Sequence, residues 1–248
     1  MILQDKYVSL LTDFGFKRVF GTEPNKDLLI DFLNTLLPAH HQIQDLSFKN
    51  NENVGNTIID SLRDGKAERK AIFDTYCQAE NGERFIVEIQ KAKQNFFKDR
   101  SVYYSTFPIQ DQALKGGWDF KLSPVYTVGI LDFVFDDHKH DETIVHVVEL
   151  KNQHCEVFYE KLKFIYIELP KFTKSVNELE SHRDKWLFVL KHLAELTDRP
   201  DLLQDSIFSK LFKVAEIANF SRIEQDSYQN SLKYYRDMNN VVNTSRQE

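Results

Sequence analysis

Between Ile72 and Lys93 the chain reads IFDTYCQAENGERFIVEIQKAK, two runs rich in Phe, Ile and Val joined through Asn81-Gly82. Such a pair between β-type runs is the strongest short-range signal for a hairpin. Side chains alternate along a strand, so a one-residue slip in pairing moves every one of them to the opposite face. The turn therefore decides what the chain can build. A two-residue turn at Asn81-Gly82 pairs Thr75 with Glu88 and leaves Asp74 beside Phe85, Val87 and Ile89, where an unpaired carboxylate is costly to bury. A three-residue loop, Glu80-Asn81-Gly82, with Gly82 left-handed, shifts the register by one. Asp74 then faces Glu88, and Phe73, Cys77, Phe85, Val87 and Ile89 gather on the other face. The hydrophobic pattern selects this second register.

Cross-strand neighbours have Cβ atoms about 4.5–5.5 Å apart, and like charges set opposite one another are destabilising. Gln90 lies on the same face, one pleat further along. Two readings stay open from the hairpin alone. The acids line a wet face of an antiparallel sheet, or they grip a divalent cation. Mg²⁺ takes a few carboxylate oxygens and keeps several waters, and the backbone carbonyl of Ile89 is a further candidate ligand.

The rest of the chain alternates helical and strand patterns. Asp27 to Leu37 has apolar residues at helical spacing between Pro24 and Pro38. Gln44 to Asn53 reads as a strand, with turn signals at residues 50–53 and at Asp64-Gly65. Ala71 to Gln78 and Arg84 to Gln90 are the hairpin strands. Lys98 to Leu114 reads as a helix kinked at Pro108 and stopped by Gly116-Gly117. Val125 to Phe133, Thr143 to Leu150 and Leu162 to Leu169 read as apolar strands, and the pattern is helical from Ser181 onward. This order predicts an α/β fold, a mixed sheet flanked by helices, with a helical C-terminal portion. Residues 1–180 are expected to form the core and 181–248 a helical region packed on it or extending from it.

With 248 residues, 42% of them hydrophobic and 20 of them Phe, the chain has enough apolar surface for a packed core. No apolar run approaches the ~20 residues of a membrane span. The N-terminal MILQDKYVSLL lacks the pattern of a signal peptide. Cys77 and Cys155 form no CxxC pair, so no disulfide framework or cysteine zinc site is expected, and the expected location is cytoplasmic. A net charge of −6 runs against nucleic-acid binding at large, yet Arg84, Lys91, Lys93, Lys98 and Arg100 outnumber Glu88 and Asp99 between positions 84 and 100.

An Asp followed, after a turn, by Glu-x-Gln on the next strand resembles the metal motif of the PD-(D/E)XK nuclease superfamily. The chain resembles in particular its transposase-like branch, the recombination-promoting nucleases and putative transposases. The likeness is carried by LLTDFGFKRVFG (Leu10 to Gly21), the Asp74…Glu88-Ile89-Gln90 hairpin, FFKDRSVYYSTF (Phe96 to Phe107) and LSPVYTVGILDF (Leu122 to Phe133). It implies a restriction-endonuclease-like core and a DNA endonuclease that uses Mg²⁺, with Mn²⁺ able to substitute. Asp74 and Glu88 match the metal-binding carboxylates, and Gln90 stands where a catalytic lysine is usual. Asp13 matches an acid of the first helical segment. Phe73 occupies the proline position of the motif. Glutamine can orient a water or touch a metal, but it cannot supply positive charge as lysine does.

Lys17, Lys91, Lys93, Arg100, Tyr103 and Tyr104 are the candidate DNA contacts, the last three sharing a helical face. DNA is the expected partner, a homo-oligomer is left open, and no membrane is involved. The alternative function is a non-catalytic DNA- or protein-binding module that keeps the fold. Asp13-Phe14-Gly15 and His182-Arg183-Asp184 imitate kinase signatures in the wrong order and without a glycine-rich loop. His138-x-His140, beside Asp136, Asp137, Asp141 and Glu142, reads as a solvated turn.

Overall fold

A computed structural model describes residues 5–50, 52–53, 71–93, 96–113 and 119–244. The turn signal at Asp64-Gly65 and the stop at Gly116-Gly117 lie outside the described residues, as does Asn51.

Local chemistry sets the element ends. Thr12 accepts the amide of Gly15 at 3.1 Å and caps helix α1 (Asp13–Phe20), which buries Phe16, Val19 and Phe20. Helix α2 (Lys26–Asn34) buries Leu28, Leu29, Phe32 and Leu33 on one stripe. The strand expected over residues 44–53 divides into β1 (Leu46–Phe48) and β2 (Glu52–Asn53). β2 pairs with β3 (Ala71–Ile72) apart from the main sheet. The hairpin follows as β4 (Thr75–Ala79) and β5 (Arg84–Gln90).

Gly82 has φ +86°, and the amides of Gly82 and Ala79 close the three-residue loop onto the carbonyls of Ala79 and Glu83. Thr75 pairs with Val87 and Cys77 with Phe85. This is the register that the hydrophobic pattern selects. Helix α3 (Phe97–Gln110) then crosses over the sheet and leads to β6 (Val125–Leu131), parallel to β5. α3 is shorter than the spacing predicts, and Pro108 falls in its last turn rather than at a mid-helix kink. Strands β7 (Val145–Lys151) and β8 (Val157–Glu168) complete a six-stranded sheet in the order β1-β4-β5-β6-β8-β7. β6 and β8 are parallel, and β7 is an antiparallel edge.

Alternation along the strands builds a different environment on each face. Cys77, Phe85, Val87, Ile89, Val128, Ile130, Ile165 and Ile167 enter one large core. Trp186 and Leu190 join it from α4 (His182–His192), Phe208 and Leu211 from α5 (Ser206–Ala215), and Tyr228 from α6 (Arg222–Thr244). Helices α4, α5 and α6 therefore share one core with the sheet and the N-terminal helices.

The opposite face lies under α3. Ile86, Tyr76 and Phe107 cluster there, and Glu88 and Gln90 are buried on the same side of β5. The wet-face alternative does not hold. Phe73 also departs from the expected pattern. The chain bends at Asp74, between β3 and β4, so alternation breaks and the Phe73 ring packs with Tyr76 and Phe107 beneath α3. Gly129, level with Glu88 on β6, lets α3 approach: a Cβ there would lie 3.0 Å from the Tyr166 ring and 3.5 Å from Phe97.

Candidate functional site

The hairpin ladder stops at Thr75–Val87, and one step beyond it side chains take over from backbone. Asp74 Oδ2 accepts the Ile89 amide at 2.7 Å, and Glu88 Oε1 accepts the Asp74 amide at 3.2 Å. Each carboxylate is thus fixed by an amide of the opposing strand. Glu88 is buried and Asp74 half-buried. Burial, and then the negative charge of Asp74, push the Glu88 carboxyl up to about 8, and Arg100 offsets this only in part. Burial also raises Asp74, against the Ile89 amide that favours its charged form.

A cavity of about 450 Å³ opens beside Asp74, lined by Asp13, Asp74, Ile89, Gln90 and Lys91, while Glu88 lies buried behind Asp74. Ser231, Tyr234 and Met238 of α6 form its far wall. Asp13 heads α1 and holds Lys17, one turn on, at 2.8 Å. Burial opposes the Lys17 charge, but the carboxylates of Asp13, Asp74 and Glu88 outweigh it and raise the ammonium's pKa. Lys91 is half-buried, its ammonium 5.6 Å from the Tyr234 ring and 5.8 Å from the Tyr235 ring. Its pKa falls through burial, against the pull of Asp13 and Asp74.

The structure therefore gathers Asp13, Lys17, Asp74, Glu88, Gln90 and Lys91, with the backbone of Ile89. Arg100 and Tyr104 stand beneath Glu88 on α3. The guanidinium lies 5.0 Å from the Phe97 ring and 5.7 Å from Tyr104, and the Tyr104 ring meets Phe73 edge-on at 5.3 Å. The Tyr104 hydroxyl is raised by burial and by Glu88. Tyr103 is half exposed and packs against Phe107. Lys93 is directed elsewhere, paired with Asp136 on the surface.

Sequence reasoning missed the α6 wall, which lies over a hundred residues from the hairpin. Three hydrogen bonds seat that helix. The Ser9 amide donates to Tyr228 Oη at 3.0 Å, the Phe14 amide to Ser231 Oγ at 3.2 Å, and the Tyr235 hydroxyl to Asp132 at 2.7 Å. Asp132 in turn gives its amide to the Gln90 carbonyl. Signals for this lay in the Leu122-to-Phe133 segment, which contains Asp132, and in Tyr228, Tyr234 and Tyr235 of the C-terminal helical pattern. A larger cleft, of about 760 Å³, lies around Asp31, His182 and Arg183. Its two acids are engaged separately, Asp31 by Trp186 at 2.6 Å and His182 at 2.5 Å, and Asp184 by Lys174 at 2.8 Å.

The family of PD-(D/E)XK nuclease family transposases matches residues 10–245. The chain belongs to that family. Comparison with curated proteins and with solved structures gave no match. The match runs from the last residues before α1 through α6, so the mixed open sheet and helices α1 to α6 fall within a restriction-endonuclease-like α/β fold.

PD-(D/E)XK nucleases use divalent metals, and the residues present fit such an ion. The donor set is all oxygen: two carboxylates from adjoining strands, with Asp13 across the cavity. Hard cations of the Mg²⁺ class prefer this set. The raised Glu88 carboxyl gives a physical reason too, because two like charges at one partly desolvated site are stabilised by a positive ion between them.

Proposed function

We propose that this PD-(D/E)XK family protein is a divalent-cation-dependent DNA endonuclease of the transposase, recombination-promoting type. The observation that carries the reading is the Asp74–Glu88 pair, with Asp74 held by the Ile89 amide and Glu88 by the Asp74 amide, beside an open cavity that Asp74 lines. Asp74 and Glu88 hold the ion, with Asp13 and the Ile89 carbonyl as further ligands. Mg²⁺ is the proposed cofactor and Mn²⁺ its substitute. A bound ion supplies Lewis acidity and a water acidic enough to yield hydroxide near neutral pH.

The chain's own residues do the rest. Gln90 orients the attacking water through its carboxamide, which both donates and accepts hydrogen bonds. Lys91 lines the cavity and Lys17 stands beside its acids, and their positive charge meets the negative charge a scissile phosphate gathers. Arg100 and Tyr104 hold Glu88 from beneath, Arg100 by favouring its charged form. Tyr103 and Lys93 lie outside the cavity and are proposed to meet the DNA flanking the cut.

Purified protein incubated with plasmid and Mg²⁺ or Mn²⁺ tests this. Cleavage is expected, and Asp74→Asn and Glu88→Gln should each lower it by about 10³-fold or more, the kinetic equivalent of several kcal/mol of metal-derived stabilisation. Gln90→Ala should lose about 10–10². Equal cleavage by wild type and both acid variants would refute the assignment. No cleavage or metal binding by the wild type would leave the fold as a binding module.

A further inference from the structure

We infer that His138, His146 and Glu168 form a second cation site, for a divalent transition metal of the zinc class, sharing no residue with the Asp74–Glu88 pair. The sequence pairs His138 with His140. The structure instead exposes His140 and turns His138, from the short turn after β6, towards His146 of the edge strand β7. Their rings stack with centroids 4.1 Å apart. Glu168 closes the group from the end of β8 and is fully buried.

The ligand atoms converge. His138 Nδ1 lies 3.1 Å from Glu168 Oε1, and His146 Nε2 lies 3.2 Å from Glu168 Oε2. The three ligand atoms all fall within 4.8 Å of one another. A tetrahedral ion with bonds of about 2.0–2.1 Å holds its ligand atoms about 3.3 Å apart. Each imidazole nitrogen already lies near that distance from one oxygen of Glu168, so a single ion needs the three atoms, now within 4.8 Å, to close together on one carboxylate oxygen or on both.

Carboxylates also stand behind both imidazoles, Asp141 3.7 Å from His146 Nδ1 and Asp137 3.9 Å from His138 Nε2, beyond hydrogen-bond reach but adding negative charge that favours a cation. Glu168 is steadied by the Phe135 amide at 2.8 Å and by Lys171 at 2.6 Å. Lys171 also reaches the Thr143 carbonyl at 3.2 Å, so it keeps a partner when an ion takes over part of its role at Glu168. Two imidazoles and one carboxylate suit zinc and its neighbours rather than Mg²⁺ or Ca²⁺. The site joins the β6–β7 connection, the edge strand and the end of β8, so a bound ion pins the outer edge of the sheet.

Co²⁺ is the probe, because its visible d–d band reports four-coordinate ligation without reference to activity. The full-length protein should bind Co²⁺ with that band, and Zn²⁺ should abolish it. The band should persist in an Asp74→Asn/Glu88→Gln double variant. His138→Gln and His146→Gln should each weaken Co²⁺ binding at least about tenfold. Lys171→Met, which removes the competing ammonium, should tighten it and guards against loss of fold in the histidine variants. Absence of the band in wild type, its survival with both histidines replaced, or no change with Lys171→Met would overturn the site.

Discussion

At the scale of single residues, Glu88 carries the largest electrostatic tension in the proposed centre. Burial and Asp74 raise its carboxyl to about 8, against an unfolded value of about 4.3. Between those values the folded, cation-free protein holds a proton that the unfolded chain has lost. Stability therefore falls as pH rises from about 5 to about 8, the reverse of a carboxylate held in an ion pair. Glu88→Gln mimics the protonated form. In chelator it should be more stable than wild type at pH 9, by on the order of 1–3 kcal/mol, and nearly equal at pH 5. Thermal melts at the two values check this, and a pH-independent difference would contradict it. The acids and Gln90 were legible in the sequence, because the alternation and the turn forced them onto one face. Their burial was not legible, because it depends on α3, which a strand pattern does not report.

At the scale of elements, the site rests on the β4–β5 register, and that rests on the loop. Gly82 has φ +86°, a region that costs residues with a Cβ roughly 1–2 kcal/mol, and a Cβ there would also lie 3.2 Å from Ser123 Oγ. Gly82→Ala should therefore lower stability by about 1–2 kcal/mol in a urea melt. Retention of the register, read from proton exchange across Thr75–Val87, would accompany it. An unaffected melt would show that the left-handed turn does not hold the hairpin. The same hairpin shows why one residue escaped the pattern. Phe73 follows strict alternation in sequence, but the bend at Asp74 turns it under α3. The His138 turn is a similar case, since its partners His146 and Glu168 come from other strands and no local spacing announces them.

At the scale of the whole molecule, the order of strands and helices was readable from periodicity, whereas the closure of the cavity by α6 was not. Ser231, Tyr234 and Met238 reach the hairpin through tertiary packing alone, anchored by Tyr228 and Tyr235. Charge acts at this scale too. The chain carries −6, and among the described residues the cations proposed to meet phosphates are Lys17, Lys91 and Lys93. Each phosphate neutralised contributes about −0.9 to the slope of log affinity against log salt. Duplex binding by the Glu88→Gln variant should thus show a shallow slope of about −2 to −3 in an anisotropy titration. A slope of about −6 or steeper would mean that a basic surface elsewhere carries the DNA.

The central claim, that Asp74 and Glu88 jointly hold one divalent ion, is open to direct observation by anomalous scattering from a crystal soaked in Mn²⁺. A manganese peak about 2.0–2.2 Å from a carboxylate oxygen of both residues is the predicted result. The two acids hydrogen-bonded to the opposing amides with no peak between them, in crystals where manganese binds elsewhere, would contradict it.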